Sequence, residues 1–272
     1  MTEKVGLACS KLFCRGAVMA DVNGDASLDL LVSTVGQGTL LFVNHEGRFS
    51  DETKAAGLSS RFGSSTLALA DVDGDGSLDL YVSNYRPDDI RDSGRVNLEN
   101  RNGRMAVPEA LKNRLFIEEG KLNEYGEPDQ LYLNNGSGRF QLVDWDSGRF
   151  LDEDGAKLGG PLLDWGLSAS FRDINGDGEP DLYVCNDYWT EDRFWINQGE
   201  GILRAISRRD WRSMSASSMG VDFSDIDRDG DLDFFTVDML SRDPARRKRQ
   251  KEAQGSKTIN VPGMFDRPQA MR

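Results

Sequence analysis

The sequence has few of the residues on which nucleophilic, redox or disulfide chemistry depends. It contains one histidine, His45, and three cysteines in 272 residues. A single histidine beside a predicted turn argues against a Ser-His-Asp catalytic triad. Three cysteines cannot form a disulfide framework, although a local pair between Cys9 and Cys14 stays open. Cys185 lies in an apolar run and is expected to be buried.

Long apolar segments are also absent. No run of about 18 apolar residues exists, so no transmembrane helix is predicted. The first residues lack the apolar region of a secretion signal. The net charge of −13 argues against nucleic acid and anionic membrane surfaces as partners. The 29 glycines and only 8 prolines are typical of a turn-rich, all-β chain.

The acidic charge is concentrated in four copies of one nonapeptide. The copy at residues 71–79 has Asp at positions 1, 3, 5 and 9 and glycine at position 6. The other copies begin at Asp21, Asp173 and Asp225. So many carboxylates in one turn repel each other unless a hard divalent cation neutralises them. Oxygen ligands without His or Cys favour Ca²⁺.

We predict one calcium site in each loop, built from the side chains at positions 1, 3, 5 and 9 and the carbonyl at position 7. The predicted ligands are Asp21, Asn23, Asp25, Ser27 and Asp29; Asp71, Asp73, Asp75, Ser77 and Asp79; Asp173, Asn175, Asp177, Glu179 and Asp181; and Asp225, Asp227, Asp229, Asp231 and Asp233. Up to four Ca²⁺ ions are therefore expected. The first site is expected to be the weakest, because Ala26 replaces the glycine at position 6.

Position 12 separates these loops from EF-hand and dockerin loops, which need an acidic ligand there. This chain has Val32, Val82, Val184 and Thr236 at that position. The Asp at position 9 instead closes each site within a β-hairpin. Plain Asp/Gly turns without metal are the alternative interpretation.

The loops also define a repeat, because they begin at intervals of 50, 102 and 52 residues. A strand precedes each loop, and two strands, an Asn/Gly turn and a last strand are expected to follow. Four-stranded units of about 50 residues are typical of β-propeller blades. We predict about four blades, near residues 8–50, 58–85 with 129–143, 164–204 and 214–240.

Strands are predicted immediately before and after the loops. Those before the loops cover residues 17–20, 67–70, 169–172 and 221–224, and those after cover 28–33, 78–84, 180–186 and 232–238. The strands after the loops carry apolar residues on both faces; in the last of them Phe234 and Phe235 point in opposite directions. We therefore expect these strands to be covered on both sides.

Two segments fall outside the repeat. Residues 86–128 form an insertion with a short helical possibility around Pro108, and it is either a binding loop or a decorative one. Residues 241–272 are basic and are expected to be a solvated helix or linker, or the start of another blade, rather than a nucleic-acid patch. Because the repeats look cut at both ends, we predict that the chain is a piece of a longer protein.

The loops, together with Phe62-Gly63, Trp165-Gly166 and Met219-Gly220, resemble FG-GAP/VCBS repeats of the integrin α-subunit propeller. The segment 134–140 and the tail Val237-Asp238-Met239-Leu240 look like the bacterial ASPIC/UnbV group related to cartilage acidic protein. The resemblance implies a seven-bladed parent propeller with Ca²⁺ on its loops, in a secreted or surface protein. Four blades cannot close such a ring, and the chain has no Arg-Gly-Asp sequence.

Three functions remain open. The first is a calcium-stabilised, non-catalytic binding or adhesion module that recognises protein or glycan through one propeller face. The second is a carbohydrate-active enzyme, a polysaccharide lyase or hydrolase, and the third is a purely structural repeat. Candidates for the enzyme are Glu109, Glu118, Glu119 and Glu124 as acids, and Trp145, Trp165, Trp189, Trp195 and Trp211 as sugar-stacking rings. Inter-blade packing is the alternative role of these tryptophans.

Overall fold

Antiparallel β-sheets repeat along the chain and make up nearly all of the fold. The computed structural model describes residues 2–253, apart from positions 8, 95, 119, 189, 208, 212, 213, 216 and 240, together with residues 269 and 270. The predicted all-β class is confirmed: two sheets have the four strands of a propeller blade, and a third sheet has five.

The first sheet, blade 1, is a simple meander. Its strands are β1 (Cys14–Ala20), β2 (Asp29–Thr34), β3 (Gly38–His45) and β4 (Arg48–Asp51), paired in that order. The one-turn helix α1 (Thr53–Ala56) follows β4 and ends at Gly57, whose φ of 87° is left-handed.

The second sheet, blade 2, is interrupted by the insertion. It begins with β5 (Ser64–Ala70) and β6 (Asp79–Asn84). The insertion then forms two hairpins, β7 (Glu99–Arg101) with β8 (Arg104–Ala106) and β9 (Leu115–Glu118) with β10 (Lys121–Glu124). Finally β11 (Gln130–Asn134) and β12 (Phe140–Leu142) complete the sheet in the order β12-β11-β6-β5. The predicted helix near Pro108 is a 3₁₀ turn at Glu109–Leu111.

The third sheet, blade 3, has one strand more than predicted. The short β13 (Phe150–Leu151) pairs in parallel with the last strand of this blade. The other strands are β14 (Gly166–Arg172), β15 (Asp181–Asn186), β16 (Arg193–Asn197) and β17 (Leu203–Ala205), in the order β13-β17-β16-β15-β14.

The fourth unit has two paired strands in the described part of the chain, and we call it half-blade 4. After the short β18 (Met214–Ser215), β19 (Ser218–Ser224) pairs with β20 (Asp233–Asp238). The helix α2 (Pro244–Ala253) follows, and β21 (Gln269–Ala270) pairs with β18. The prediction that this last strand is covered on both sides is wrong: Phe235 is 66% exposed and Phe234 is 40% exposed.

Hydrophobic contacts between successive blades form the core. In blade 2, Leu80 packs toward blade 1 and Tyr81 packs toward blade 3. In blade 3, Leu182 faces blade 2 and Tyr183 faces half-blade 4. The middle strands of these two blades are thus covered on both sides, as their apolar alternation predicts. The first strands β1, β5, β14 and β19 lie side by side and define the inner edge of the array.

No helix in the described residues is long and apolar enough to cross a membrane. Cys9, Cys14 and Cys185 are free thiols, and Cys185 is buried within blade 3 as expected.

Candidate metal centres and ligand cleft

Each predicted metal loop connects the first and second strands of its sheet. We call them loop 1 (residues 21–29), loop 2 (71–79), loop 3 (173–181) and loop 4 (225–233). In all four, the backbone N–H at position 7 donates to the carboxylate at position 5 over 2.8–2.9 Å. The residue at position 6 has a positive φ, and in loop 1 this residue is Ala26 with φ 65°. The strain predicted for loop 1 is therefore present.

Loop 2 brings its carboxylates together. Oxygens of Asp71, Asp73 and Asp79 lie within 4.8 Å of one another. The Oδ1 atoms of Asp71 and Asp73 are buried and have no hydrogen-bond partner in the described part of the chain. Asp75 is exposed and accepts a hydrogen bond from the Ser77 N–H. Buried carboxylate oxygens without a donor are costly, and a cation is the partner that such an oxygen set fits.

Loops 1 and 3 satisfy their carboxylates with hydrogen bonds instead. In loop 1, Asp21 Oδ1 accepts the N–H groups of Gly24 and Asp25 at 2.8 and 3.2 Å. The Asn23 amide donates to Asp25 at 3.1 Å, and loop 3 repeats this contact between Asn175 and Asp177 at 2.8 Å. The Asn at position 3 thus donates to the carboxylate at position 5 in both loops. Because position 3 is Asn in these loops, they lack the position-3 carboxylate that belongs to the clusters of loops 2 and 4.

Loop 4 has the same ligand residues as loop 2 in an open setting. Oxygens of Asp225, Asp227 and Asp229 lie within 4.8 Å of one another. All three side chains are exposed or only partly buried, and Asp233 is exposed. The structure therefore gathers three carboxylates in loops 2 and 4, and does so in a buried setting only in loop 2.

The Asp at position 9 has a structural task that the sequence does not reveal. One oxygen accepts the N–H of position 2 in all four loops, over 2.9–3.3 Å. In blades 1–3 the other oxygen accepts the N–H of an Asn at the end of the third strand, at 2.8–2.9 Å. Asp29, Asp79 and Asp181 are fully buried as a result. Each carboxylate therefore ties its loop to two strands of its own sheet.

The side chains of these Asn residues join neighbouring blades. The Asn134 amide of blade 2 donates to the carbonyl of Val22 in loop 1 at 2.8 Å. The Asn197 amide of blade 3 donates to the carbonyl of Val72 in loop 2 at 2.9 Å. A Cβ placed on Gly201 would lie 3.3 Å from that of Asp73, so the next blade also packs against loop 2. Loops 1 and 2 therefore lie at blade interfaces.

Burial makes Asp79 a difficult place for an uncompensated charge. Burial raises the pKa of Asp79 to about 6. The N–H groups of Asn134 and Val72 lower this pKa, and the nearby charges of Asp73 and Asp75 raise it. Burial likewise raises the pKa values of Asp29 and Asp181. A cation in loop 2 would favour the ionised form of Asp79.

A cleft of about 280 Å³ lies where the insertion meets blade 3. Since β6 runs from loop 2 to Asn84, the insertion leaves blade 2 at the end opposite the metal loops. The cleft is lined by Asp89, Ile90, Leu122, Asn123, Glu124, Trp165 and Tyr188. The Trp165 ring lies 4.9 Å from Tyr85 and 5.0 Å from Tyr188, so one wall is aromatic. Tyr188 is 38% exposed and has a left-handed φ of 57°.

An ionic network fixes the insertion beside this cleft. Glu124 is buried and accepts a hydrogen bond from Arg114 at 2.5 Å and one from the Ile90 N–H at 3.0 Å. Arg86 lies 3.5 Å from Glu124 and 3.8 Å from Glu127. The hairpin β9–β10 is therefore tied to blade 2 at its base.

The described residues among the candidates for catalysis lie in different settings. Glu109 is exposed and bonds Lys112, while the carboxylate of Glu124 is held by two arginines. Glu118 lies in β9. Trp145, Trp165 and Trp195 are buried, Trp211 packs between blade 3 and half-blade 4, and Glu119 and Trp189 lie outside the described residues.

Asp129 and Asp192 are among the buried carboxylates that the sequence analysis did not identify. Asp129 accepts hydrogen bonds from the Tyr81 hydroxyl at 2.8 Å and the Asn84 N–H at 2.7 Å. Asp192 does the same in blade 3 with Tyr183 and Asn186. The signal was present: a Tyr-Val-x-Asn sequence follows loops 2 and 3, and each Asp immediately precedes a third strand.

The comparisons with known proteins agree with this repeat geometry. The sequence model of the FG-GAP-like repeat matches residues 21–82 and 173–236. The chain contains two FG-GAP-like repeats. Each match begins at the first Asp of one loop and ends in the strand that follows the next loop. All four loops therefore lie in FG-GAP-like sequence. A search of curated proteins gave no match.

Among solved structures, the chain is similar to the rhamnogalacturonan lyase YesW, with 16% identity and a TM-score of 0.41. That similarity covers 84% of this chain and 41% of the lyase, so the chain spans less than half of its length. A lectin from Agrocybe aegerita, described as recognising non-reducing terminal N-acetylglucosamine, is 17% identical with a TM-score of 0.21. That similarity covers 85% of this chain and 76% of the lectin. Neither likeness carries a substrate or ligand to these FG-GAP-like repeats.

Proposed function

We propose that the protein is a calcium-stabilised, non-catalytic binding module of the adhesion type, which recognises a protein or glycan ligand. The observation that carries this proposal is the convergence of Asp71, Asp73 and Asp79 within 4.8 Å, with two buried oxygens lacking a donor. A secreted or cell-surface setting, where Ca²⁺ is plentiful, and kinship with the ASPIC/UnbV group belong to the same proposal.

Loop 2 is the principal calcium site in this proposal. Asp71, Asp73 and Asp79 would hold the ion, with Asp75 and the Ser77 carbonyl as further oxygen ligands. Loop 4 would bind in the same way, whereas loops 1 and 3 must first release the Asn-to-Asp hydrogen bonds at 3.1 and 2.8 Å. We therefore expect loop 2 to bind most tightly and the two Asn loops to bind weakly.

Calcium in this position has a structural consequence. Loop 2 touches blade 3 through the Asn197-to-Val72 hydrogen bond, so an ion that orders loop 2 also orders this interface. A ligand that binds only the folded state stabilises it. The role proposed for Ca²⁺ is to fix the geometry between blades rather than to act as a signal.

The ligand is proposed to bind at the opposite face, in the cleft of Trp165, Tyr188, Leu122 and Asn123. An apolar aromatic wall with a few polar groups is the usual composition of a recognition site. The ionic network behind Glu124 gives the cleft a fixed wall, which lowers the entropic cost of binding. The aromatic wall and the fixed base of the cleft support the binding role in this proposal.

Thermal unfolding with excess EGTA and with 10 mM Ca²⁺ tests the calcium part. We expect a higher midpoint with Ca²⁺, and Asp73→Ala should lose most of this increase. Asp231→Asn is the matched control, because only its backbone carbonyl is a predicted ligand. An equal midpoint in both buffers would refute calcium stabilisation.

A glycan array and a capture screen with extracellular proteins test the recognition part. Binding should fall in the variant Tyr188→Ala and persist in Leu142→Ala, which alters an exposed apolar residue in blade 2. Any bound glycan is then incubated with the protein and analysed for cleavage. Turnover would refute the non-catalytic proposal, and binding unaffected by Tyr188→Ala would refute the cleft.

A further inference from the structure

A groove of about 390 Å³ lies beside the two outer strands of blade 2. One side is formed where β11 begins and β12 ends, and the other side by residues 159–161 of the connection to β14. Since β11 runs toward loop 2, the groove lies at the end of the blade opposite this metal loop. Its described lining residues differ from those of the cleft, and its volume is within the range of ligand sites in proteins.

The interior of this groove is apolar and is held in place from behind. The Trp145 ring stacks on the Phe150 ring at a centroid distance of 4.1 Å, and its indole N–H donates to the Asp129 carbonyl at 3.1 Å. Leu142 is 45% exposed. The apolar side chains that line the groove with Trp145 are Phe62, Pro128, Leu142, Val143 and Pro161. Because Trp145 is already fixed, little ordering is needed when a ligand binds.

The charge of the groove has one sign. The charged residues that line it in the described part of the chain are all acidic, namely Asp129, Asp144 and Asp146. The Asp129 carboxylate is buried and already accepts two hydrogen bonds within blade 2. The carboxylates of Asp144 and Asp146 are exposed, on either side of Trp145 in the sequence, and neither takes part in an ion pair with the described residues. The groove thus combines a negative rim with an apolar interior.

A cation on an aliphatic stem fits this combination. An arginine side chain has three methylene groups that can lie on apolar surface, and its planar guanidinium carries five N–H donors that two carboxylates can share. An anionic ligand would be repelled by the rim. The rim residues Leu142, Gly159 and Pro161 are exposed, so a polypeptide that carries the arginine can lie across the opening. The net charge of −13 also favours a basic partner.

We propose that this groove binds an arginine side chain of a partner protein, together with an apolar residue beside it in that partner. The guanidinium lies between Asp144 and Asp146, and the methylene stem and the apolar residue lie against Leu142 and Pro161. The metal loops and the cleft contribute none of these groups, so the site does not depend on the proposed function.

A fluorescently labelled peptide with a central Leu-Arg pair between Gly and Ser residues is the probe. It is titrated with the full chain in EGTA at about 50 mM salt, where charges are only weakly screened, and followed by anisotropy. We expect saturable binding that weakens about tenfold when citrulline, which has the same shape without the charge, replaces arginine. Asp144→Asn combined with Asp146→Asn should weaken binding about tenfold as well. The matched control is Glu46→Gln combined with Glu200→Gln, which removes the same charge from exposed turns of blades 1 and 3 and should leave binding nearly unchanged.

Amide chemical shifts in nuclear magnetic resonance spectra locate the peptide on the chain. Residues 142–146 and 159–161 should shift, and Leu142→Ala should weaken binding whereas Tyr188→Ala should not, which separates the groove from the cleft. Absence of binding, equal binding of the citrulline peptide, equal weakening in both double variants, or shifts confined to other residues would overturn the proposal. Self-association that the peptide displaces would show a second copy as the occupant, and shifts of the same amides by a neutral glycan would show a carbohydrate site. Either result would also overturn it.

Discussion

Loops 2 and 4 have the same ligand residues and very different surroundings. Both have Asp at positions 1, 3, 5 and 9 and gather three carboxylates within 4.8 Å. Asp79 of loop 2 is buried and tied to Asn134, and Asn197 reaches loop 2 from the next blade. Asp233 of loop 4 is exposed. The nonapeptide thus supplies the carboxylates, whereas their burial and their connection to other blades come from strands distant in sequence.

Removing the position-9 carboxylate should give the largest difference in stability between variants of loop 2 and loop 4. Asp79→Ala leaves the N–H groups of Val72 and Asn134 buried without an acceptor, and we expect a loss of about 3 kcal/mol in the free energy of unfolding. Asp233→Ala removes one exposed acceptor and should change this free energy by about 0.5 kcal/mol or less. Urea unfolding in EGTA measures both, and equal losses would contradict the role of the surroundings.

Calcium should distinguish the loops next. With a dissociation constant of about 10⁻⁴ M, typical of the tighter extracellular modules, 10 mM Ca²⁺ stabilises one site by about 2.7 kcal/mol. We expect Asp73→Ala to abolish more of the calcium-dependent increase in the unfolding midpoint than Asp227→Ala, because loop 2 receives the Asn197 hydrogen bond from the next blade. Calorimetric scans over a Ca²⁺ series provide the measurement. A larger loss in Asp227→Ala would reverse the ranking.

The inter-blade hydrogen bond can be broken separately. Asn197→Ala removes the donor to the Val72 carbonyl, and we expect a loss of about 1–2 kcal/mol together with weaker calcium stabilisation. Asn44→Ala is the matched control, because the Asn44 amide donates to Leu28 of its own blade. It should lower stability while leaving the calcium-dependent increase intact. Isothermal titration with Ca²⁺ compares the two variants, and identical affinities would exclude the coupling.

The loops and their flanking strands were predictable from the sequence. The burial of the loops and their contacts with other blades were not, because those depend on residues distant in the chain. The position and spacing of the loops predicted the flanking strands to within three residues, because turns and alternation are local signals. The strand β2, for example, was predicted at residues 28–33 and begins at Asp29. The hydrogen bonds from the predicted ligands Asn23 and Asn175 to Asp25 and Asp177 were not predicted.

The insertion and the contacts between blades could not be predicted in this way. The hairpins β7–β8 and β9–β10 consist of three- and four-residue strands with little apolar alternation, so their sequences carry no clear period. The two-residue strand β13 depends on its parallel partner β17, which lies about 50 residues away. Tertiary contacts decide such elements, as they decide the environment of Asp129.

Stability should depend on pH through the buried carboxylates outside the loops as well as through the position-9 Asp residues. Burial raises the pKa of Asp129 to about 7 and that of Asp192 to about 6. The folded state then holds these protons more tightly than the unfolded state, so stability without Ca²⁺ should fall as the pH rises from about 4 to 7. Asp129→Asn, which cannot ionise, should flatten this slope, and the exposed-site variant Asp146→Asn should not. Urea midpoints across this pH range test it; an unchanged slope in Asp129→Asn would disprove the assignment.

The smallest expected effect concerns loop 1. Ala26 adopts φ 65° where loop 2 has Gly76 at 89°. Ala26→Gly should stabilise the protein by about 0.5 kcal/mol, because the relief of left-handed strain slightly exceeds the added flexibility of the unfolded chain. The matched comparison is Gly76→Ala, which places Ala at the left-handed position 6 of loop 2 and should destabilise the protein. A lower unfolding midpoint for Ala26→Gly would contradict this.

The Asn side chains that join the blades contact residues much earlier in the chain, and this bears on the order in which the blades fold. Asn134 contacts Val22, 112 residues earlier, and Asn197 contacts Val72, 125 residues earlier. During synthesis, Val22 and Val72 leave the ribosome well before Asn134 and Asn197, the residues that donate to their carbonyls. Loops 1 and 2 should therefore gain these contacts only after the following blade has folded, so we expect the blades to assemble in order from the amino terminus.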